Sequence, residues 1–175
     1  AYAAFGNGGY YNEPYSFTKI IYSDTGETYE PTFIKKQAMS PETAYIINDM
    51  LITTGKSALG TYSYVKGYTY GAKTGTTNFD AKIKEKYKLS DAAINDLWVV
   101  GLTDQYTIAV WYGYEKISNK YYTKFGNQNH KLLFQTVAKG IFERSTKVTK
   151  PANVISVTVE KDSVETLLPS AYTPA

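Results

Sequence analysis

The chain has 175 residues, 43% of them hydrophobic, which supplies the mass for one domain with a real core and excludes a disordered polymer. With 19 basic against 16 acidic residues the net charge is +3, so nothing in the charge calls for a nucleic-acid partner, although an anionic cell wall or membrane surface would be tolerated. Cysteine is absent and histidine occurs once, which excludes a disulfide framework, a thiolate metal site and an imidazole cluster, and no cofactor is expected.

No apolar run reaches the ~20 residues needed to cross a bilayer, and the first residues carry neither a basic nor an apolar signal region. Any export signal or membrane anchor is therefore expected outside this chain. Residues 1–5 read as the end of a helix, closed by Gly6-Asn7-Gly8-Gly9, where glycine suits the left-handed position that terminates helices. A chain that opens inside a helix suggests a piece of a longer protein.

Between Pro14 and Pro31, Phe17, Ile20, Ile21 and Tyr22 flank Asp24-Thr25-Gly26, a turn signal that predicts a small hairpin. Ser40 is a suitable N-cap, with Pro41 at the first helical position and Glu42 in the first turn. The spacing of Thr43, Ile46, Ile47, Met50 and Leu51 predicts one buried face, and Gly55 is expected to stop the helix. Residues 70–79, rich in Thr and aromatics and flanked by Gly71 and Asn78, read as a short strand.

The run from Lys82 to Lys88 mixes charges and reads as a solvated surface excursion. Residues 97–102 lack polar alternation, so both faces of that strand are expected to be covered, and Asp104-Gln105 marks a turn into a second strand over 106–114. Residues 130–142 carry Leu133, Phe134, Val137, Ile141 and Phe142 at helical spacing, and that helix is expected to pack on the sheet. Val154 to Val159 alternates like a strand, and residues beyond 167 read as an extended tail. The 18 tyrosines are spread along the chain and mark no cleft, so they read as structural.

Within the 70–79 strand lies Lys73-Thr74-Gly75-Thr76. Period-two alternation sets the hydroxyls of Thr74 and Thr76 on one side, where two donors can grip one carboxylate while the Lys73 ammonium adds positive potential. Gly75, lacking a Cβ, lets another backbone or an attacking group come close. The tetrapeptide resembles the third motif of serine transpeptidases and β-lactamases, in which a Ser-x-x-Lys nucleophile and a Ser-x-Asn loop converge on the same cleft.

Other segments follow in that family's order: Ala1 to Gly9 resembles the helix end after the second motif, Ser40-Pro41-Glu42-Thr43-Ala44-Tyr45 opens a helix, and residues 97–102 with 108–113 form a hairpin. The chain resembles the C-terminal part of the transpeptidase domain of class A penicillin-binding proteins of Gram-positive bacteria, over residues 1–145, with residues 146–175 as a C-terminal strand and tail. The resemblance implies an α+β fold, an antiparallel sheet flanked by helices, and a D,D-transpeptidase that crosslinks peptidoglycan stem peptides through a serine acyl-enzyme and is a target of β-lactams. D,D-carboxypeptidase action uses the same strand.

The same resemblance implies substrate binding by Lys73, Thr74, Gly75 and Thr76, catalytic roles for Lys73 and for the backbone N–H of Thr76 as oxyanion donor, and a place on the extracellular face of the bacterial cytoplasmic membrane. A non-catalytic wall-binding or scaffolding domain of the same fold is the alternative. No Ser-x-Asn occurs. Ser16-Phe17-Thr18-Lys19 satisfies Ser-x-x-Lys literally, but in a strand-like run residues i and i+3 point to opposite faces, whereas the motif needs a helix. The nucleophile and second motif are thus expected on an N-terminal remainder, to which this chain would dock with an uncovered apolar face and a free strand edge. His130, after Asn129 at a helix start, reads as a surface or capping residue and not a base.

Overall fold

The computed structural model describes residues 1–57, 59–60, 62–142, 148–160 and 168–169. The elements run α1 (Ala3–Gly6), β1 (Tyr10–Asn12), β2 (Ile20–Ile21), β3 (Thr28–Tyr29), β4 (Lys35–Gln37), α2 (Pro41–Ser57), β5 (Gly71–Asn78), α3 (Ala81–Tyr87), β6 (Ala93–Leu102), β7 (Thr107–Gly113), β8 (Thr123–Lys124) and α4 (Asn129–Ile141). This is an α+β architecture. Its main sheet has the order β5-β6-β7, with the short β8 also pairing with β6.

All ladders are antiparallel. In the main sheet Ala72 pairs with Gly101, Thr74 with Val99 and Thr76 with Leu97, and Val99 and Gly101 pair onward with Val110 and Ile108. Because directly paired residues share a face, these positions form one side of the sheet. That side is the core: Ala72, Val99, Ile108 and Val110 cluster with Phe134, Ala138 and Phe142 from α4 and its end, and with Leu59, Val65 and Tyr70 from the α2–β5 connection.

The approach of α4 is close. A Cβ on Gly101 would lie 2.3 Å from the Phe134 ring, so the absent side chain is the seat of that phenylalanine. The α2–β5 connection, whose path the sequence left unread, is held by Tyr70, whose hydroxyl accepts from Val65 N at 3.1 Å and donates to Ser63 O at 2.8 Å.

Among the described residues the opposite side of the sheet is covered only at one end. There α2 rests on the start of β5, with Asn48 Oδ1 and Leu51 Cβ within 3 Å of where a Gly71 Cβ would stand, and Gly6 of α1 lies against Thr103 and Leu102. The cap of α2 is as expected, with Ser40 Oγ accepting from Thr43 N at 3.2 Å. Its buried face is not: Ala44, Asn48 and Gly55 are buried while Ile46 and Met50 are exposed, and Gly55 lies inside the helix. A Cβ at Gly55 would meet Tyr70 O at 2.8 Å, so close helix–strand packing selects small residues and leaves large ones outside.

The hairpin β2–β3 is present and sits at the tip of an arm whose base is the β1–β4 ladder. The charged run forms α3, which buries nothing and is capped by Asp80, whose carboxylate accepts from Ile83 N at 2.8 Å. On α4 the packing set is His130, Phe134 and Ala138, while Leu133, Val137 and Ile141 are exposed, which corrects the expected contact stripe. His130 is a core residue, only 3% exposed, because it lies one turn before Phe134 on the sheet-facing side.

The alternating residues 154–159 join no ladder among the described residues, since alternation makes a chain extended without giving it a partner. The expected tail lies outside the described residues apart from Leu168 and Pro169.

Candidate active site

The strand β5 begins buried and emerges into solvent along its length. Gly71 and Ala72 are buried, Thr74 and Gly75 are half-buried, and Lys73, Thr76 and Thr77 are exposed. The emergence follows from coverage: α2 packs on the start of the strand, at Gly71 and Ala72. Among the described residues β5 pairs with β6 alone, so its other edge is open.

The four motif residues divide between the faces. Thr74 and Thr76 lie on the side of Val99 and Leu97, and Lys73 and Gly75 lie on the side of Val100 and Trp98. The expected common side for the two threonines therefore holds. Lys73 Nζ donates to the carbonyl of Thr74 at 3.0 Å, folding the ammonium back along its own strand. The only ion pair among the described residues is Lys19 to Glu30, so Lys73 is not neutralised by a carboxylate there.

A cavity of about 270 Å³ opens beside the motif, lined by Tyr2, Lys73, Thr74, Gly75, Trp98 and Val100. Tyr2, immediately before α1, forms the wall of this cavity that faces the motif strand. Larger cavities lie elsewhere, one against Tyr64 and Tyr68 and one inside the arm, and neither shares a lining residue with the motif.

Four glycines lie in this sheet, and three are demanded by their neighbours. Added Cβ atoms at Gly71, Gly101 and Gly113 would each meet an atom closer than 3.0 Å, whereas at Gly75 the nearest atom is Trp98 Cβ at 3.4 Å, an ordinary contact. The described residues would accept a side chain at Gly75.

Neither literal Ser-x-x-Lys is a nucleophile site. Ser16 to Lys19 lies in irregular chain ahead of β2, and Lys19 is engaged with Glu30 at 3.7 Å. A second match overlooked in the sequence, Ser63-Tyr64-Val65-Lys66, has a fully buried serine whose hydroxyl donates to Leu59 O at 2.9 Å. The sequence reading also missed Asp96, the most heavily bonded side chain near the motif. It accepts from Thr77 Oγ1 at 2.5 Å, Asn95 Nδ2 at 2.8 Å and Trp111 Nε1 at 2.8 Å. A carboxylate directly before the apolar run Leu97 to Leu102 was the available signal.

The His130 imidazole is held below its ordinary pKa by burial and, secondarily, by the nearby Lys131 charge. It faces the core and does not line the motif cavity.

The site is thus an open-edged strand carrying Lys-Thr-Gly-Thr, in an antiparallel sheet with helices packed on it. The penicillin binding protein transpeptidase domain matches residues 1–139, and the chain belongs to that family. It is 39% identical, along its whole length, to Penicillin-binding protein 1A/1B of Bacillus subtilis, covering 19% of that protein. It is 37% identical over 73% of its length to Penicillin-binding protein 1A of Streptococcus pneumoniae, covering 17% of it, and 31% identical over 99% of its length to Penicillin-binding protein 1A of Clostridium tetani, covering 21%. The chain thus spans about a fifth of these relatives.

Proposed function

We propose that the chain is the Lys-Thr-Gly-bearing portion of a longer D,D-transpeptidase, which crosslinks peptidoglycan stem peptides and is acylated by β-lactams. The observation that carries this reading is Gly75: its own surroundings would accept a Cβ, and the space left open faces the motif cavity. A bare backbone there serves something arriving from outside these residues. The N-terminal remainder would bring it, carrying the Ser-x-x-Lys and Ser-x-Asn motifs.

In this mechanism the upstream serine oxygen attacks the carbonyl of a D-Ala-D-Ala bond, and the terminal D-Ala leaves with a proton. The amine of a neighbouring stem peptide then attacks the acyl-enzyme and restores the serine, and water in place of that amine gives D,D-carboxypeptidase action. The substrate carboxylate would lie along the open edge of β5, reached by the hydroxyls of Thr74 and Thr76 from one face of the strand and by the positive potential of Lys73 from the other. The backbone N–H of Thr76 donates to the developing oxyanion, a contact worth roughly 3 kcal/mol in such sites. The Lys73 bond to the Thr74 carbonyl supports an outward direction for that group, and alternation carries the Thr76 N–H to the same open edge.

A β-lactam would follow the same first step, with its ring amide opening on the serine. The parent protein would be held at the bacterial membrane by a segment outside this chain, with this portion on the extracellular side; no helix among the described residues is long and apolar enough to cross a membrane. The test is acylation of the parent protein by a fluorescent penicillin. Lys73→Ala is expected to slow labelling by about 100-fold. Labelling of Lys73→Ala at the unsubstituted rate, or an unsubstituted parent that takes no label, would reject transpeptidation, and the latter would favour a scaffolding domain.

A further inference from the structure

We infer that Asp96 is a positioning residue for the motif strand, clamping β5, β6 and β7 together one residue beyond the oxyanion donor; this rests on the proposed transpeptidase reading. The clamp is built from both carboxylate oxygens. Oδ2 accepts from Thr77 Oγ1 at 2.5 Å and from Asn95 Nδ2 at 2.8 Å, and Oδ1 accepts from Trp111 Nε1 at 2.8 Å. One side chain on the central strand thus holds a hydroxyl on one neighbouring strand and an indole on the other.

The register explains why a clamp is needed at this point. From Gly71 to Thr77 the β5–β6 pairing is regular, ending in Thr77 opposite Asp96, and then Asn78 pairs with Ile94. Asn95 is therefore an extra residue on β6, the bulge that lets the strand bend. A bulge weakens the ladder locally, and here it begins one residue after Thr76. The side chain of Asn95 turns back onto Asp96, so the bulged residue itself is recruited to hold the last regular pair.

The indole side is equally specific. Gly113 stands opposite Asp96, and a Cβ there would meet Trp111 Cζ2 at 2.8 Å, Cε2 at 2.9 Å and Nε1 at 3.0 Å. The Trp111 ring lies over the vacant position of Gly113 and thereby brings Nε1 to the carboxylate. Two aromatic and small residues on β7 are thus spent on reaching Asp96. Charge-assisted bonds of this kind are stronger than neutral ones, and the carboxylate has no cationic partner among the described residues that would divert it.

What the clamp fixes is the height and twist of β5 at residues 75–77. The oxyanion contact depends on the placement of the Thr76 N–H, and misplacement by about 1 Å can cost about 100-fold in rate. The side chain of Asp96 touches no substrate in this account; it acts through Thr77.

The experiment uses the parent protein and measures β-lactam acylation as two quantities, the reversible affinity before bond formation and the acylation rate constant. Asp96→Leu is expected to lower the rate constant about 50-fold and Thr77→Val about tenfold, with affinity changed less than about threefold. Asp96→Asn, which keeps an acceptor for Trp111 and a partner for Thr77, is expected to recover most of the rate. Asp80→Ala, which removes the α3 cap and lowers Tm by roughly 2–4 °C, serves as the control and should leave the rate constant unchanged. Amide hydrogen exchange across residues 73–77 should quicken about tenfold in Asp96→Leu and not in Asp80→Ala.

A rate constant in Asp96→Leu that falls no further than in Asp80→Ala, with exchange at residues 73–77 unaltered, would overturn the inference. If the unsubstituted parent is not acylated, the transpeptidase reading fails, and the exchange comparison still decides whether Asp96 clamps the strand.

Discussion

The two faces of the main sheet are built on opposite rules, and Gly101 and Gly75 display them. Gly101 faces α4 and is filled from across the core by the Phe134 ring, so its lack of a side chain is a requirement of packing. Gly75 faces the other way, beside an exposed Trp98 and the motif cavity, and no described atom needs its space. The difference teaches that identical residues in adjacent strands answer to different demands, one to the density of an interior and the other, on the proposed reading, to a group arriving from outside.

The sharpest way to break this contrast is at the packed face. Phe134→Ala removes a fully buried ring that touches Tyr70 and Phe142, and is expected to destabilise the parent's transpeptidase unit by about 3–5 kcal/mol, read from its denaturant midpoint. A loss below about 1 kcal/mol would mean that α4 is not the lid of the core.

The paired glycine substitutions come next. Gly101→Ala forces overlap with the Phe134 ring and should cost about 1–3 kcal/mol of stability. Gly75→Ala meets only an ordinary contact and should change stability by less than about 1 kcal/mol, while slowing penicillin acylation about tenfold or more. Equal stability losses at the two positions, or normal acylation by Gly75→Ala, would erase the distinction between the faces.

The smallest effect concerns pH. Burial lowers the folded-state pKa of His130 below its unfolded value of about 6.5, with Lys131 adding to the shift, so the unfolded chain binds a proton more readily. The stability that the neutral imidazole contributes is complete above about pH 6.5 and is lost as pH falls through the folded-state pKa. Tm should therefore drop between pH 7.5 and 5.5, and His130→Gln should shrink that drop. A drop of the same size in the variant would assign the acid sensitivity to other groups.

Legibility of the fold in the sequence varied with the kind of signal involved. Where a single residue type does a local job, the reading was accurate: Ser40 caps α2, the hairpin turns at Asp24-Thr25-Gly26, and residues 71–78 form the motif strand. Where hydrophobicity stood in for burial it failed. On α2 the deeply packed positions are Ala44, Asn48 and Gly55 because the helix lies nearly on the backbone of β5, and size excluded the larger side chains.

On β6 the apolar run suggested cover on both sides, yet Trp98 is 41% exposed, because the residues that position the helices are distributed unevenly along the sheet. At the site, the motif could be read as a string of letters, and its division between the two faces followed from alternation. The clamp at Asp96 could not, since it depends on a bulge and on an indole lying over Gly113, relations that exist only between strands.

Residues 10–37 offer a last consequence. Both feet of the arm stand on one residue: the carbonyl of Gly9 accepts from Ala38 N at 2.8 Å and Met39 N at 3.1 Å, and its own N–H donates to Ala4 O at 2.8 Å. With φ at +92° and the Met39 carbonyl where a Cβ would stand, that position admits no other residue without strain. The ladders distal to this pinch share no strand with the main sheet, so the arm hangs from a single backbone knot and its own turns set its length.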